Sequence, residues 1–200
     1  MVCSAGPRIP LEAFLVAVST VGIAEIGDRT QFLALILATR YRRPWPIIAG
    51  MLVATLVNHG VAGALGVWLG SLLTPGIMGA AVGISMIAMA LWTLRPDRLE
   101  GTSPGGRAGP FVATLVAFFI AELGDKTQIA TMALGAAYTH LVPVVAGSTC
   151  GLLAANLPVI FLGKVFADRL PLQAIRYGAA ALFLVLGLVF LWRAAAIHLS

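Results

Sequence analysis

Apolar residues in this chain do not alternate with polar ones; they run in long blocks broken by short polar or proline-bearing joints. Blocks of about twenty or more such residues match the ~30 Å hydrocarbon thickness that a helix must cross. Six are read as membrane-spanning helices: Pro10 to Thr39, Ile47 to Leu69, Ile77 to Leu94, Pro110 to Tyr138, Leu141 to Phe166 and Leu172 to Trp192. Arg40, Arg42 and Arg43 close the first, and Pro44 and Pro46 restart a helix where proline is tolerated. Pro75-Gly76 marks a tight turn before the third. The 51 residues between Arg43 and Arg95 carry no Asp, Glu, Lys or Arg. As helix they extend ~76 Å, enough for two crossings. The expected fold is therefore all-α and integral to the membrane.

Two of the six blocks are interrupted at their centres. Ala24-Glu25-Ile26-Gly27-Asp28-Arg29-Thr30-Gln31 recurs as Ala121-Glu122-Leu123-Gly124-Asp125-Lys126-Thr127-Gln128, displaced by 97 residues. The same shift aligns Phe14 with Phe111, Pro46 with Pro143, Gly50 with Gly147, and His59 with Asn156. The pattern predicts a three-helix repeat over residues 1–94, a cytoplasmic linker over 95–109, and a second three-helix repeat over 110–200. Three is odd, so the second copy enters the membrane from the opposite side. Inverted repeats with a polar site where they meet are a recurring transporter plan. Gly66 with Gly70 and Gly79 with Gly83 are spaced for close helix packing.

Composition supports this picture. Apolar residues make up 60% of the chain, charged residues 10%, and mean hydropathy is +0.97; soluble domains carry about 25% charge. The net charge of +5 does not point to nucleic acid, because the basic residues cluster in loops. Arg40, Arg42, Arg43, Arg95, Arg98, Arg107, Lys164, Arg169 and Arg176 share one side, against Arg8 and Arg193 on the other. The positive-inside rule then places both termini on the non-cytoplasmic side of the cell's inner membrane. Cys3 and Cys150 form neither a disulfide framework nor a thiolate site. The first block contains Glu25 and is read as a retained span, not a signal peptide.

Charge at bilayer depth is costly and marks an ion or proton path by default. On a continuous helix Glu25, Asp28 and Gln31 share one face at i, i+3 steps, as do Glu122, Asp125 and Gln128. Gly27 and Gly124 let a backbone approach or let the helix loosen. Four carboxylates and two amide oxygens, with Thr30 and Thr127 beside them, form a hard-oxygen set suited to Mn²⁺, Ca²⁺ or Mg²⁺. Asn58, His59 and Asn156 lie near mid-span and are additional candidates, although His59 alone fits a packed histidine equally. Arg29 and Lys126 offset two of the four negative charges, and the remaining two match one divalent ion or two protons. That balance predicts exchange, with Glu25 and Glu122 as ligands and proton carriers and Arg29 and Lys126 as gating cations. Local pairs, Glu25 with Arg29 and Glu122 with Lys126, are the structural alternative.

The doubled Glu-x-Gly-Asp-(Lys/Arg)-Thr in two three-span halves resembles the calcium/cation antiporter-2 family of manganese/calcium–proton exchangers, the Golgi transmembrane protein 165 family. The resemblance covers essentially the whole chain and carries over at Glu25, Gly27, Asp28, Arg29 and Thr30, and at Glu122, Gly124, Asp125, Lys126 and Thr127. It implies a six-helix inverted-repeat fold, proton-coupled movement of Mn²⁺ or Ca²⁺, and acidic positions that bind the cation. It implies a transporter with H⁺ as counter-ion, not an enzyme and without a resident cofactor. The lipid bilayer and divalent cations are the expected partners, and homo-oligomerisation stays open. A small-metabolite exporter, with Arg29 and Lys126 on a substrate carboxylate, and a divalent cation channel are the competing readings.

Overall fold

The structure is a computed structural model that describes residues 8–94, 109–162 and 172–199. It is all-helical, with no strand among the described residues. The elements are α1 (Arg8–Glu25), α2 (Arg29–Tyr41), α3 (Pro44–Leu72), α4 (Pro75–Thr93), α5 (Pro110–Glu122), α6 (Lys126–Tyr138), α7 (Leu141–Leu162) and α8 (Leu172–Leu199). Prolines open α3, α4 and α5 at the first helical positions, where a missing N–H costs no hydrogen bond.

Among the described residues, four helices are long and apolar enough to cross a membrane: Pro44–Leu72, Pro75–Thr93, Leu141–Leu162 and the Tyr177–Ile197 part of α8. The expected first span is not one helix. Pro10–Glu25 and Arg29–Tyr41 meet at a 71° bend and together make a fifth candidate. The expected fourth span is also divided, into α5 and α6 of 13 residues each. A helix of that length reaches only ~20 Å. In both places the sequence puts buried carboxylates and a glycine where a continuous helix would have needed apolar side chains.

Large apolar side chains cover the outer surface, Trp45, Trp68, Val142 and Trp192 all more than half exposed, as a lipid-facing surface requires. Inside, α1 lies along α7, α3 along α5 and α6, and α4 along α8. Small residues allow these approaches: a side chain at Gly66 would run into the Met132 carbonyl of α6, and one at Gly83 would meet the Gly187 carbonyl of α8 at 2.8 Å. One apolar cluster, with Ala17, Met86 and Phe183, joins α1, α4 and α8; a second, with Val21, Met51, Phe118 and Leu152, joins α1, α3, α5 and α7. The two helix breaks lie inside this packing. The basic residues Arg95, Arg98, Arg107, Lys164 and Arg169, and the side chain of Arg176, fall outside the described residues, as does all but the last residue of the 95–109 linker.

Candidate metal centre at the paired helix breaks

The two motifs fold in the same way, and not as helix. α1 ends at Glu25, Gly27 takes φ 80°, and Asp28 sits in extended backbone as the N-cap of α2. Its Oδ1 accepts from the Arg29 N–H at 2.8 Å. In the second copy α5 ends at Glu122, Gly124 takes φ 71°, and Asp125 caps α6 by accepting from the Thr127 N–H at 3.4 Å. Aspartate at such a position satisfies an orphan helix donor, and glycine supplies the left-handed turn. The expectation that Glu25, Asp28 and Gln31 share a helix face is therefore replaced by a broken helix. Each acidic pair straddles a break instead of lining a stripe.

Gln31 and Gln128 hold the breaks. Their Oε1 atoms accept from the Gly27 and Gly124 N–H groups at 2.9 and 2.7 Å. Gln31 also donates through Nε2 to the Ala155 carbonyl of α7, tying the first break to that helix.

The breaks face each other through crossed ion pairs. Lys126 Nζ lies 2.9 Å from Asp28 Oδ1, and Arg29 Nη2 lies 3.1 Å from Asp125 Oδ1. The local pairs that sequence spacing allows, Glu25 with Arg29 and Glu122 with Lys126, do not form among the described residues; each basic residue serves the other motif's aspartate. The two pairs differ in setting: the Lys126 side chain is 5% exposed and that of Arg29 is 38% exposed.

The hydrogen-bond donors to Glu25 and Glu122 are all neutral among the described residues. Glu25 Oε1 accepts from the Thr30 hydroxyl and from Asn156 Nδ2, the latter at 3.1 Å. Glu122 accepts from the Thr55 hydroxyl at 2.8 Å and from Asn58 Nδ2 at 3.4 Å, while Asn58 also donates to the Phe119 carbonyl at 3.1 Å. Both glutamates are fully buried. Thr127 donates to Asp125 Oδ2 at 3.2 Å.

Glu25, Asp28 and Asp125 each offer a carboxylate oxygen within 4.8 Å of the others. This is the spacing at which three oxygens share one cation, with six to eight ligands around Ca²⁺ or octahedral geometry around smaller ions. Glu122 is not part of that group and has its own nest on α3. His59 is buried, and neither ring nitrogen has a hydrogen-bond partner among the described residues. Sequence reading missed Thr55. The signal was present: it lies three and four residues before Asn58 and His59, on the same face of an uncharged span.

The chain is similar to known proteins along most of its length. The family model described as "Divalent cation/proton antiporter GDT1" matches residues 13–101 and again residues 110–198. A Vibrio cholerae protein named "Putative manganese exporter" is 48% identical over 89% of this chain and 90% of its own length. A GDT1-like protein of Synechocystis is 29% identical over 91% of this chain and 98% of its own length. The yeast divalent cation/proton antiporter GDT1 is 23% identical over 94% of this chain and 86% of its own length. No solved structure matches the chain. By the two family matches, which together take in most of its length, the chain belongs to the GDT1 family of divalent cation/proton antiporters.

Proposed function

We propose that this protein exports Mn²⁺ in exchange for protons by alternating access, with the paired helix breaks as the cation site. The observation that carries the reading is the division of charge. Crossed ion pairs engage Asp28 and Asp125, while the hydrogen-bond donors to the buried Glu25 and Glu122 are neutral among the described residues. Two such carboxylates in low dielectric demand neutralisation, by two protons or by one divalent ion. Metal and proton then compete directly at Glu25, with Glu122 coupled to them through charge, and competition is the basis of exchange.

In the metal-bound state Glu25, Asp28 and Asp125 supply oxygens, and Glu122 receives or releases a proton in step. Lys126 and Arg29 withdraw from the aspartates when the cation arrives and return when it leaves. Gln31 and Gln128 hold the breaks open and keep a second lone pair for the ion. Thr30 and Thr127 orient the carboxylates, and Asn58, His59 and Asn156 complete the polar lining. Mn²⁺ is preferred to Ca²⁺ as cargo because the V. cholerae relative is named for manganese.

Six crossings in two inverted halves fit this mechanism. The recurrence of the capped glycine break, and a second family match beginning 97 residues after the first, support that arrangement. Insertion in the cell's inner membrane with both termini outside completes the reading. The experiment is Mn²⁺ uptake into proteoliposomes under an imposed pH gradient, with proton movement recorded. Uptake is expected to follow the gradient and to move protons in fixed ratio. Metal flux without proton flux would make the protein a channel.

A further inference from the structure

We propose that Asn156 binds the transported divalent cation directly, through its carboxamide oxygen, beside Glu25, Asp28 and Asp125. The proposal rests on the exchange reading above and names a ligand that lies outside both acidic motifs. Asn156 is on α7 and has no solvent exposure. Its Nδ2 lies 3.1 Å from Glu25 Oε1 and 3.0 Å from the Leu152 carbonyl. The Leu152 carbonyl only accepts, and Glu25 only accepts when ionised, so the amide nitrogen faces them; turning the group over would set oxygen against the carbonyl oxygen and against the ionised carboxylate. Orientation is thereby fixed, and Oδ1 is left buried with no donor among the described residues. Glu25 Oε2 is in the same condition.

Buried oxygens without donors are costly to keep unless something with positive charge visits them. Here two of them belong to side chains that are hydrogen-bonded to each other, and one belongs to the carboxylate triad. An oxygen-seeking divalent ion at the triad satisfies both together. The helix is also anchored at this level, where the Ala155 carbonyl accepts from Gln31 of the first motif. The residue 97 positions earlier is His59, which offers nitrogen and not a carboxamide oxygen. In the first half the carboxamide beside a glutamate is that of Asn58, one position before His59, which donates to Glu122.

A change of metal preference separates ligation from mere support of Glu25. In a full-length parent with Cys3 and Cys150 replaced by serine, Asn156→Cys puts a thiolate in place of the oxygen. Binding of Mn²⁺ and Cd²⁺ to the purified protein is then measured by calorimetry. Direct ligation predicts that the Cd²⁺-over-Mn²⁺ affinity ratio rises about tenfold or more, because soft thiolate favours the softer ion. It also predicts that Asn156→Asp, which keeps an oxygen but loses the donor to Glu25, binds Mn²⁺ about tenfold or more tighter than Asn156→Ala. An unchanged ratio, or an Asp variant no better than Ala, would reduce Asn156 to a positioning residue for Glu25 and overturn the proposal. Where the Cys variant does not fold, the Asp and Ala pair decides. A parent that neither binds nor moves Mn²⁺ would defeat the exchange reading itself, and this proposal with it.

Discussion

At Glu25 and Glu122 a carboxylate is fully buried, and among the described residues its hydrogen-bond donors are hydroxyls and amides. Glu25→Gln and Glu122→Gln remove the charge while keeping the shape, so each is expected to abolish gradient-driven Mn²⁺ uptake in proteoliposomes. Thr55 provides a finer test. A hydrogen bond to a charged group contributes about 1.5–3 kcal/mol, so Thr55→Val should lower apparent Mn²⁺ affinity by about tenfold, and Thr55→Ser should restore it. Lys126 tests the crossed pairs. Removing one member of a buried ion pair costs about 3–5 kcal/mol, so Lys126→Gln should lower the detergent-solubilised melting temperature. Added Mn²⁺ should recover more of that loss than it adds to the wild type, because the ion replaces the lost positive charge beside Asp28. Equal stabilisation of both proteins would count against a shared cation position. These residues were legible in the sequence as charges in an apolar context. The partner of each was not, since Asp28 and Lys126 are 98 positions apart and helical spacing favoured the local pairs.

Among the elements, the broken helices carry the proposed cation site. A continuous helix would have set Glu25 and Asp28 on one stripe; the break turns α2 away by 71° and frees Asp28 to cap it. Glycine makes this possible at φ 71–80°. A side chain at Gly124 would meet nothing within 4 Å, so the penalty there is conformational and not steric. Gly124→Ala should therefore destabilise the protein by about 1–2 kcal/mol, read as a lower melting temperature. Gly124→Asn should cost less, because asparagine tolerates the left-handed region. An alanine variant as stable as the wild type would mean the break does not depend on that turn. Sequence reading had the apolar blocks and the proline starts of α3 and α5, but it took Pro75 for a turn and began α4 at Ile77. It placed the interruption but not its form, because glycine and aspartate within an apolar run fit a loosened helix as well as a capped break.

For the whole molecule, the charge division sets the electrical character of transport. If two protonated glutamates exchange for one divalent ion, the cycle moves no net charge. Mn²⁺ uptake at fixed pH gradient should then be unchanged by potassium diffusion potentials of either sign, set with valinomycin. A strong dependence on voltage would require a different proton number. The pairing of α1 with α7 and of α3 with α5 and α6 brings residues of the two sequence halves together at this site. Bulk at their contact should disturb it: a leucine at Gly66 would strike the Met132 carbonyl and is expected to reduce transport and stability together.

Composition and periodicity by themselves determined that this chain is helical and suited to lipid, repeats itself, and carries oxygen-bearing side chains in paired motifs. Those properties follow from solvation cost and from local spacing, both of which are written along one strand of sequence. Only the tertiary structure decided which cation neutralises which carboxylate, that the two glutamates are left to neutral donors, and that Asn156 turns its nitrogen toward Glu25 and the Leu152 carbonyl. Those are contacts between residues as many as 131 positions apart, and distance in space between such residues is a result of packing that no local pattern encodes.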